Sequence, residues 1–162
     1  MKHLRTDKDS QVFHLLKPEK QALLRTLNLY PLVPETHHRL SKGIDVPEAD
    51  ENQRLLEEAL AEQRQENRRQ VLALLESPER FRETKTGYEL TLTSGEIEWL
   101  LQVLNDVRVG CWLILGQPEE GGALQVTDPK AKFEFALELC GLFQSNLLAG
   151  LGVDEPLDDS GE

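Results

Sequence analysis

The chain has 162 residues, 39% hydrophobic and 29% charged, a composition that predicts one compact domain with a substantial core. Eighteen lysines and arginines against 29 acidic residues give a formal net charge of −11, which disfavours nonspecific binding to nucleic acid or anionic lipid. Both cysteines, Cys111 and Cys140, lie in apolar runs and are expected to be buried free thiols of a cytoplasmic protein. The first ten residues lack the apolar segment of a signal peptide.

The first half of the chain predicts a strand and two helices. Ser10–Leu16 forms a short apolar strand, and Pro18 suits the first turn of a helix that runs to about Leu29. A polar, proline-rich loop follows, in which the adjacent His37 and His38 favour a surface turn over a metal site. A long second helix is expected over residues 51–76.

The second half predicts a β-hairpin and two more helices. Strands are expected at Glu79–Thr84 and Tyr88–Leu92. Thr93, with Glu96 three residues on, forms a capping box that opens a helix ending at Gly116. Beyond a solvated loop and a short extended piece, ALQV, the last helix starts at Asp128-Pro129 and runs to about residue 149. The domain is expected to cover residues 1–152, followed by an acidic, flexible tail at 153–162.

A faint internal repeat relates the two halves. A shift of 77 positions lays FHLLKPEKQALLRTLN over LTLTSGEIEWLLQVLN, with six identities. In a leucine-rich chain such a match also arises by chance. If it is real, two strand-turn-helix units pack alike, and their strands share one antiparallel sheet with Glu79–Thr84. The predicted fold class is α+β, mainly α: a bundle of about four helices with a small antiparallel β-sheet on one side.

Polar residues interrupt the apolar stripes of three predicted helices. Arg108 falls on the face of Ile97, Leu104 and Cys111, and follows Asn105 and Asp106 by three and two residues. The two charges of Asp106 and Arg108 also disfavour a membrane span, at roughly 2.5–3.5 kcal/mol each. In the last helix Gln144 occupies the equivalent place, and in the second helix Gln63 and Asn67 do.

These interruptions predict one interior polar layer. If Cys111 lies opposite Cys140, then Arg108 lies within one residue of Gln144. The candidate ligand-binding residues are Arg108, Asn105, Asp106, Gln144, Gln63 and Asn67. Two interpretations stay open. The layer either fixes the register of the helices or forms a pocket in which Arg108 binds an anion or carboxylate.

The sequence contains no G-x-x-x-x-G-K-S/T or G-x-G-x-x-G nucleotide-binding motif, no G-x-S-x-G hydrolase motif and no H-E-x-x-H zinc motif, so no catalytic residue, metal or cofactor is predicted. Direct DNA binding ranks last, because Glu62 and Glu66 dilute the basic residues Arg64, Arg68 and Arg69. The main interpretation is a non-enzymatic interaction or regulatory domain with an unknown protein partner, or a homodimer. The alternative is a small-molecule binding protein or enzyme with an interior site around Arg108.

The stretch EIEWLLQVLNDVRVGCWLILG resembles a bacterial family named domain of unknown function 2017. The residues that match its pattern are Trp99, Leu100, Leu104, Asn105, Asp106 and Arg108. The N-terminal strand and LKPEKQALLRTL also resemble the opening of that family. The ending GCWLILG departs from the more basic ending typical of it, which puts in doubt any site that needs a second cation. The resemblance implies a fold but no reaction. Members of the family often lie in bacterial genomes beside the adaptor of the Clp protease, so the resemblance also implies an association with regulation or proteostasis.

Overall fold

The computed structural model describes residues 1–34, 47–116 and 128–152. The described elements are β1 (Lys2–Asp7), β2 (Ser10–Leu15), α1 (Lys17–Leu27), α2 (Pro47–Glu76), β3 (Phe81–Thr84), β4 (Gly87–Thr93), α3 (Ser94–Ile114) and α4 (Ala131–Gly150). The fold is therefore α+β and mainly helical, as predicted. The histidine pair, the ALQV piece and the acidic tail lie outside the described residues. None of the described helices is long and apolar enough to cross a membrane.

The strands form one antiparallel sheet in the order β1-β2-β4-β3. Strand β1 was not predicted from the sequence, because KHLRTD lacks the apolar alternation of a buried strand. It lies at the edge of the sheet, where all of its residues except the half-buried His3 are exposed. Lys8 adopts a left-handed conformation (φ 54°) in the turn that joins β1 to β2.

The internal repeat corresponds to two β-hairpin–helix units, β1-β2-α1 and β3-β4-α3. Strands β2 and β4 pair at the centre of the sheet, and Phe13 lies directly opposite Leu90. These two residues coincide under the shift of 77 positions. The pairing is therefore symmetric under the repeat, which confirms that the two strands share one sheet.

The two units also begin their helices alike. The Glu19 carboxylate accepts the backbone N–H of Leu16 at 2.7 Å, and the Glu96 carboxylate accepts that of Thr93 at 2.8 Å. Thr93 completes the predicted capping box by accepting the Glu96 N–H at 3.2 Å. Each glutamate also accepts from a cation at the start of its hairpin, the Met1 amino group for Glu19 and Arg80 for Glu96. Partial burial raises the pKa of Glu19, but the hydrogen bonds from Met1 and Leu16 bring it below its ordinary value.

The core lies between one face of the sheet and the helices. From the sheet it takes chiefly Phe13, Leu15, Leu90 and Leu92, and from the helices Leu23, Leu27, Val71, Leu74, Leu100, Leu104, Val107 and Phe143. Helix α2 contributes only from its C-terminal half, since none of residues 50–66 is buried. Residues 50–66 of α2 therefore add no fully buried side chain to the core.

Both cysteines are buried and free, as predicted. Cys111 on α3 lies close enough to Cys140 on α4 to add to the rise in the pKa of Cys140, whose main cause is burial. Burial raises the pKa of Cys111 to about 11 and that of Cys140 to about 12. The thiols are therefore protonated core groups and poor nucleophiles at neutral pH.

A glutamate on the outer face of the sheet joins three strands. Glu89 of β4 pairs with Arg82 of β3 and with Arg5 of β1, where the closest atoms are 3.4 Å apart. Hydrogen bonds from Arg82, and then from Arg5, lower the pKa of Glu89 below its ordinary value of 4.5. The stability that these pairs contribute is present above pH 4.5 and is lost as the pH falls below it.

We therefore expect Glu89→Gln to lower the midpoint of urea unfolding at pH 7. Its effect should be smaller at a pH below the lowered pKa of Glu89, where that carboxyl is protonated in the wild type. Glu83→Gln, which changes an exposed glutamate on the neighbouring strand, is the control. An equal loss from Glu89→Gln at both pH values would contradict the role of the ion pairs.

Candidate functional site

The structure places Arg108 on the surface. Its side chain is exposed, and its Nη1 donates to Gln144 Oε1 at 3.3 Å. The predicted antiparallel register of α3 and α4 is therefore confirmed, because Arg108 does lie beside Gln144. The predicted interior position of the arginine is wrong, and so is the single polar layer that depended on it. Asn105 and Gln63 are also exposed.

Arg108 was predicted to be interior because the prediction took the wrong face of α3 to be buried. This helix is apolar on nearly all sides, so spacing alone does not say which side is buried. The buried residues of α3 are Ile97, Leu100, Val103, Leu104, Val107, Gly110 and Cys111. Relative to the predicted face, the centre of this buried face is rotated around the helix towards Val103 and Val107. Arg108 therefore lies at the edge of the contact between α3 and α4. An exposed guanidinium needs no buried counter-ion.

Asn67 of α2 occupies the buried polar position that the sequence predicted. Its side chain is 5% exposed. The amide Oδ1 accepts from Gln63 Nε2 at 2.9 Å, and Nδ2 donates to the hydroxyl oxygen of Tyr30 at 3.1 Å. The third partner of this network is thus Tyr30 and not Arg108. Burial raises the pKa of Tyr30, so its hydroxyl stays protonated.

Asp106 reaches back to the chain that follows α1. Its Oδ1 accepts the backbone N–H groups of Leu32 at 2.7 Å and of Val33 at 3.2 Å. Residues 28–34, here called the anchored segment, form no regular helix or strand, so their backbone groups need partners from elsewhere. Asp106 supplies two of those partners from α3.

Two arginines of α2 hold the other side of the anchored segment. Arg64 donates to the carbonyl oxygen of Val33, and Arg68 donates to the carbonyl oxygen of Tyr30 at 3.2 Å and to Asn28 Oδ1 at 3.3 Å. Side chains of α2 and α3 therefore bind the donors and the acceptors of the same short segment. These contacts connect α2 to the rest of the domain.

The close approach of the anchored segment to α3 depends on Gly110. A Cβ built at this position would lie 2.6 Å from Cβ and Cγ of Leu32 and 2.9 Å from its backbone carbon. Glycine therefore leaves the room that Leu32 occupies.

An open depression lies beside the anchored segment. Its volume is about 490 Å³, and it is lined by Pro31, Ala61, Arg64, Gln65, Arg68 and Arg69. A neighbouring depression of about 400 Å³ is lined by Arg69 together with Glu62 and Glu66 among others. Arg69 pairs with Glu66 at 3.0 Å. Arg108 lines neither depression.

Helix α4 has two apolar faces. Its buried face consists of Ala136, Cys140, Phe143 and Leu147. A second stripe, at spacings of four and three residues, consists of Phe135, Leu139 and Leu142. Phe135 is 62% exposed and Leu142 is 54% exposed, while Leu139 is half-buried at the edge of the core. We call these three residues the α4 outer stripe.

Sequence reasoning missed the roles of Tyr30, Arg64 and Arg68. One signal was available, because Arg64 and Arg68 lie four residues apart and share a helix face. Their target, a loop more than thirty residues earlier, leaves no periodic pattern. Across the described ranges no group of three or more histidine, cysteine, aspartate or glutamate side chains is arranged to hold a metal ion.

Comparison with known proteins identifies one family. The model for "Domain of unknown function (DUF2017)" matches residues 14–151, which is most of the chain. No curated protein and no solved structure matches significantly. The matched region includes the anchored segment, the network around Asn67 and the α4 outer stripe.

Proposed function

The chain belongs to the DUF2017 family, whose name assigns no activity, and we propose that the domain is a non-enzymatic module that binds a protein partner. Neither of the two depressions among the described residues brings together the polar residues that were expected to form an interior site. These residues act instead in holding the anchored segment, or lie on the surface. The proposal therefore depends on what the surface offers to a partner.

The α4 outer stripe is the observation that carries this proposal. Phe135 and Leu142 lie two turns apart on one face of α4 and are more than half exposed. Neither residue is needed for the core, because another face of α4 already supplies four buried side chains. Adjacent exposed apolar side chains of this size are typical of protein-binding surfaces.

The chemistry of the stripe favours a basic amphipathic helix as the partner. Residues at i, i+4 and i+7 match the anchors of a helix that packs along α4. Glu138 is exposed on the same side of α4, and the chain carries a formal charge of −11. A partner helix with lysines or arginines beside its apolar face therefore complements both the shape and the charge of this surface.

The test uses a fluorescently labelled basic amphipathic helical peptide, and fluorescence anisotropy measures its binding to the full chain. We expect Phe135→Asp to weaken binding about tenfold, because the aromatic anchor is lost. The matched control is Leu72→Asp on α2, an exposed leucine outside the stripe, and it should leave the affinity within about twofold.

The sign of the effect separates docking from simple charge attraction. Phe135→Asp adds a negative charge, so a purely electrostatic association with a basic peptide would become stronger. Equal binding by wild type and Phe135→Asp would also contradict the proposal. If cross-linking through position 135 captures a second copy of the chain and not the peptide, the stripe is a homodimer interface and the proposed partner helix is wrong.

The alternative function, an anion or carboxylate site around Arg108, gains no support from the exposed position of that side chain. A cytoplasmic location and the association with proteostasis remain predictions from the sequence and from the family resemblance.

A further inference from the structure

We propose that the depression formed by Arg64, Arg68 and Arg69 beside Pro31 binds the phosphate group of a small organic phosphate. This site is distinct from the α4 outer stripe and does not depend on the function proposed above. All three arginines line one depression of about 490 Å³. That volume exceeds the needs of a bare phosphate ion and suits a small organic molecule.

The positive charge of two of these arginines is not balanced within the described residues. Arg64 and Arg68 donate to backbone carbonyl oxygens and to the Asn28 amide, which are neutral acceptors. Neither has a described carboxylate at ion-pair distance, and only Arg69 pairs with one, Glu66. Glu62 and Glu66 lie on the same helix, but only Arg69 is paired with one of them. Arg64 and Arg68 are therefore a local positive charge in a chain of net charge −11, and such a charge attracts anions.

The same hydrogen bonds prepare the guanidinium groups for a ligand. Arg64 and Arg68 are held by the anchored segment, so less side-chain entropy is lost when they bind. Each guanidinium has five N–H donors, and the described contacts use one from Arg64 and two from Arg68. The remaining donors have no partner among the described residues and can serve the oxygens of a phosphate dianion, which guanidinium groups bind in bidentate fashion.

The walls of the depression account for the organic part of the ligand. Pro31, Ala61 and the aliphatic stems of the arginines provide apolar surface next to the cations. A phosphate ester with a small apolar group contacts both kinds of surface, whereas inorganic phosphate contacts only the cations. We therefore expect the ester to bind more tightly than the free ion.

The test is an NMR titration of the full chain with phenyl phosphate, followed through the backbone amide signals of Ala61 and Gln65 at constant ionic strength. Inorganic phosphate and benzoate are titrated in parallel. Arg69→Gln is the informative variant, because Arg69 makes no described hydrogen bond to the anchored segment. We expect it to weaken phenyl phosphate binding about tenfold.

The matched control is Arg54→Gln, which removes an exposed arginine of the same helix that pairs with Glu58 and lies outside the depression. It should change the affinity by less than about twofold. The proposal is overturned if phenyl phosphate leaves both amide signals unmoved, or if Arg54→Gln weakens binding as much as Arg69→Gln. Tighter binding of benzoate than of phenyl phosphate would overturn the choice of a phosphate ligand.

Discussion

Replacing Gly110 by alanine is expected to destabilise the protein by about 2–3 kcal/mol. The added Cβ would meet the side chain of Leu32 at 2.6 Å and its backbone carbon at 2.9 Å. Rotation of the leucine does not relieve the clash, because its Cβ and backbone are among the atoms approached. Either α3 or the anchored segment must move, and such a movement strains the hydrogen bonds of Asp106.

Gly141→Ala provides a matched control on the neighbouring helix. A Cβ at Gly141 would meet nothing within 4 Å. The substitution therefore removes the conformational freedom of glycine without a clash and should stabilise α4 by about 0.5–1 kcal/mol. Urea unfolding followed by circular dichroism measures both changes. Stabilisation by Gly110→Ala as well would show that the segment does not lie against α3.

Loss of the Asp106 carboxylate is expected to have an effect of similar size. Asp106→Ala leaves the backbone N–H groups of Leu32 and Val33 without their acceptor, at a cost of about 2–3 kcal/mol. Asp106→Asn keeps one oxygen and should cost about half as much. Asn105→Ala changes the exposed neighbour and should stay within about 0.5 kcal/mol of wild type.

Amide hydrogen exchange distinguishes this mechanism from general destabilisation. In Asp106→Ala the amides of Leu32 and Val33 should exchange faster, through local opening of the anchored segment. Amides at the centre of the sheet, such as that of Phe13, should change only with the global stability. If the Leu32 and Val33 amides in Asp106→Ala keep the exchange rates of wild type, Asp106 is not what holds the segment.

The two arginines on the opposite side of the segment complicate simple tests of function. Arg64 and Arg68 hold the backbone of residues 30–33 and also line the depression. Substituting either of them would change stability and any anion binding together. Arg69 separates these effects, since it lines the depression but makes no described hydrogen bond to the anchored segment.

Much of the local structure followed from the sequence because its signals are local. Thr93 and Glu96 lie three residues apart and cap α3 as predicted. Gly116, with φ 78°, ends the helix where a left-handed residue was expected. The repeat of 77 positions also anticipated the pairing of β2 with β4. Strand β1 escaped prediction, because an edge strand needs no apolar face.

Tertiary contacts, and not local sequence signals, determine which face of each helix is buried. The stripe predicted for α2 consists of Leu56, Leu60, Val71 and Leu74, interrupted by Gln63 and Asn67. Its second half is correct, because Asn67, Val71 and Leu74 are buried. In its first half Leu56 and Leu60 are only half-buried and Gln63 is exposed. In α3 and α4 apolar residues occur on almost every side, so several faces were equally compatible with burial. The stripe predicted for α4 consists of Phe133, Leu137, Cys140, Leu147 and Leu151, interrupted by Gln144. Cys140 and Leu147 are indeed buried, but the centre of the buried face is shifted towards Ala136 and Phe143. Arg108 was assigned to the interior through the same ambiguity in α3.

The sequence by itself thus determined the fold class, most element boundaries, the buried free cysteines and the neighbouring positions of Arg108 and Gln144. Only the tertiary structure decided that Arg108 faces solvent, that Asp106 binds the N–H groups of Leu32 and Val33, and that three arginines border one depression. The physical reason is the range of the interactions. Caps, turns and repeats depend on residues close in the chain, whereas the packing of one element against a distant loop depends on contacts that no spacing in the sequence records.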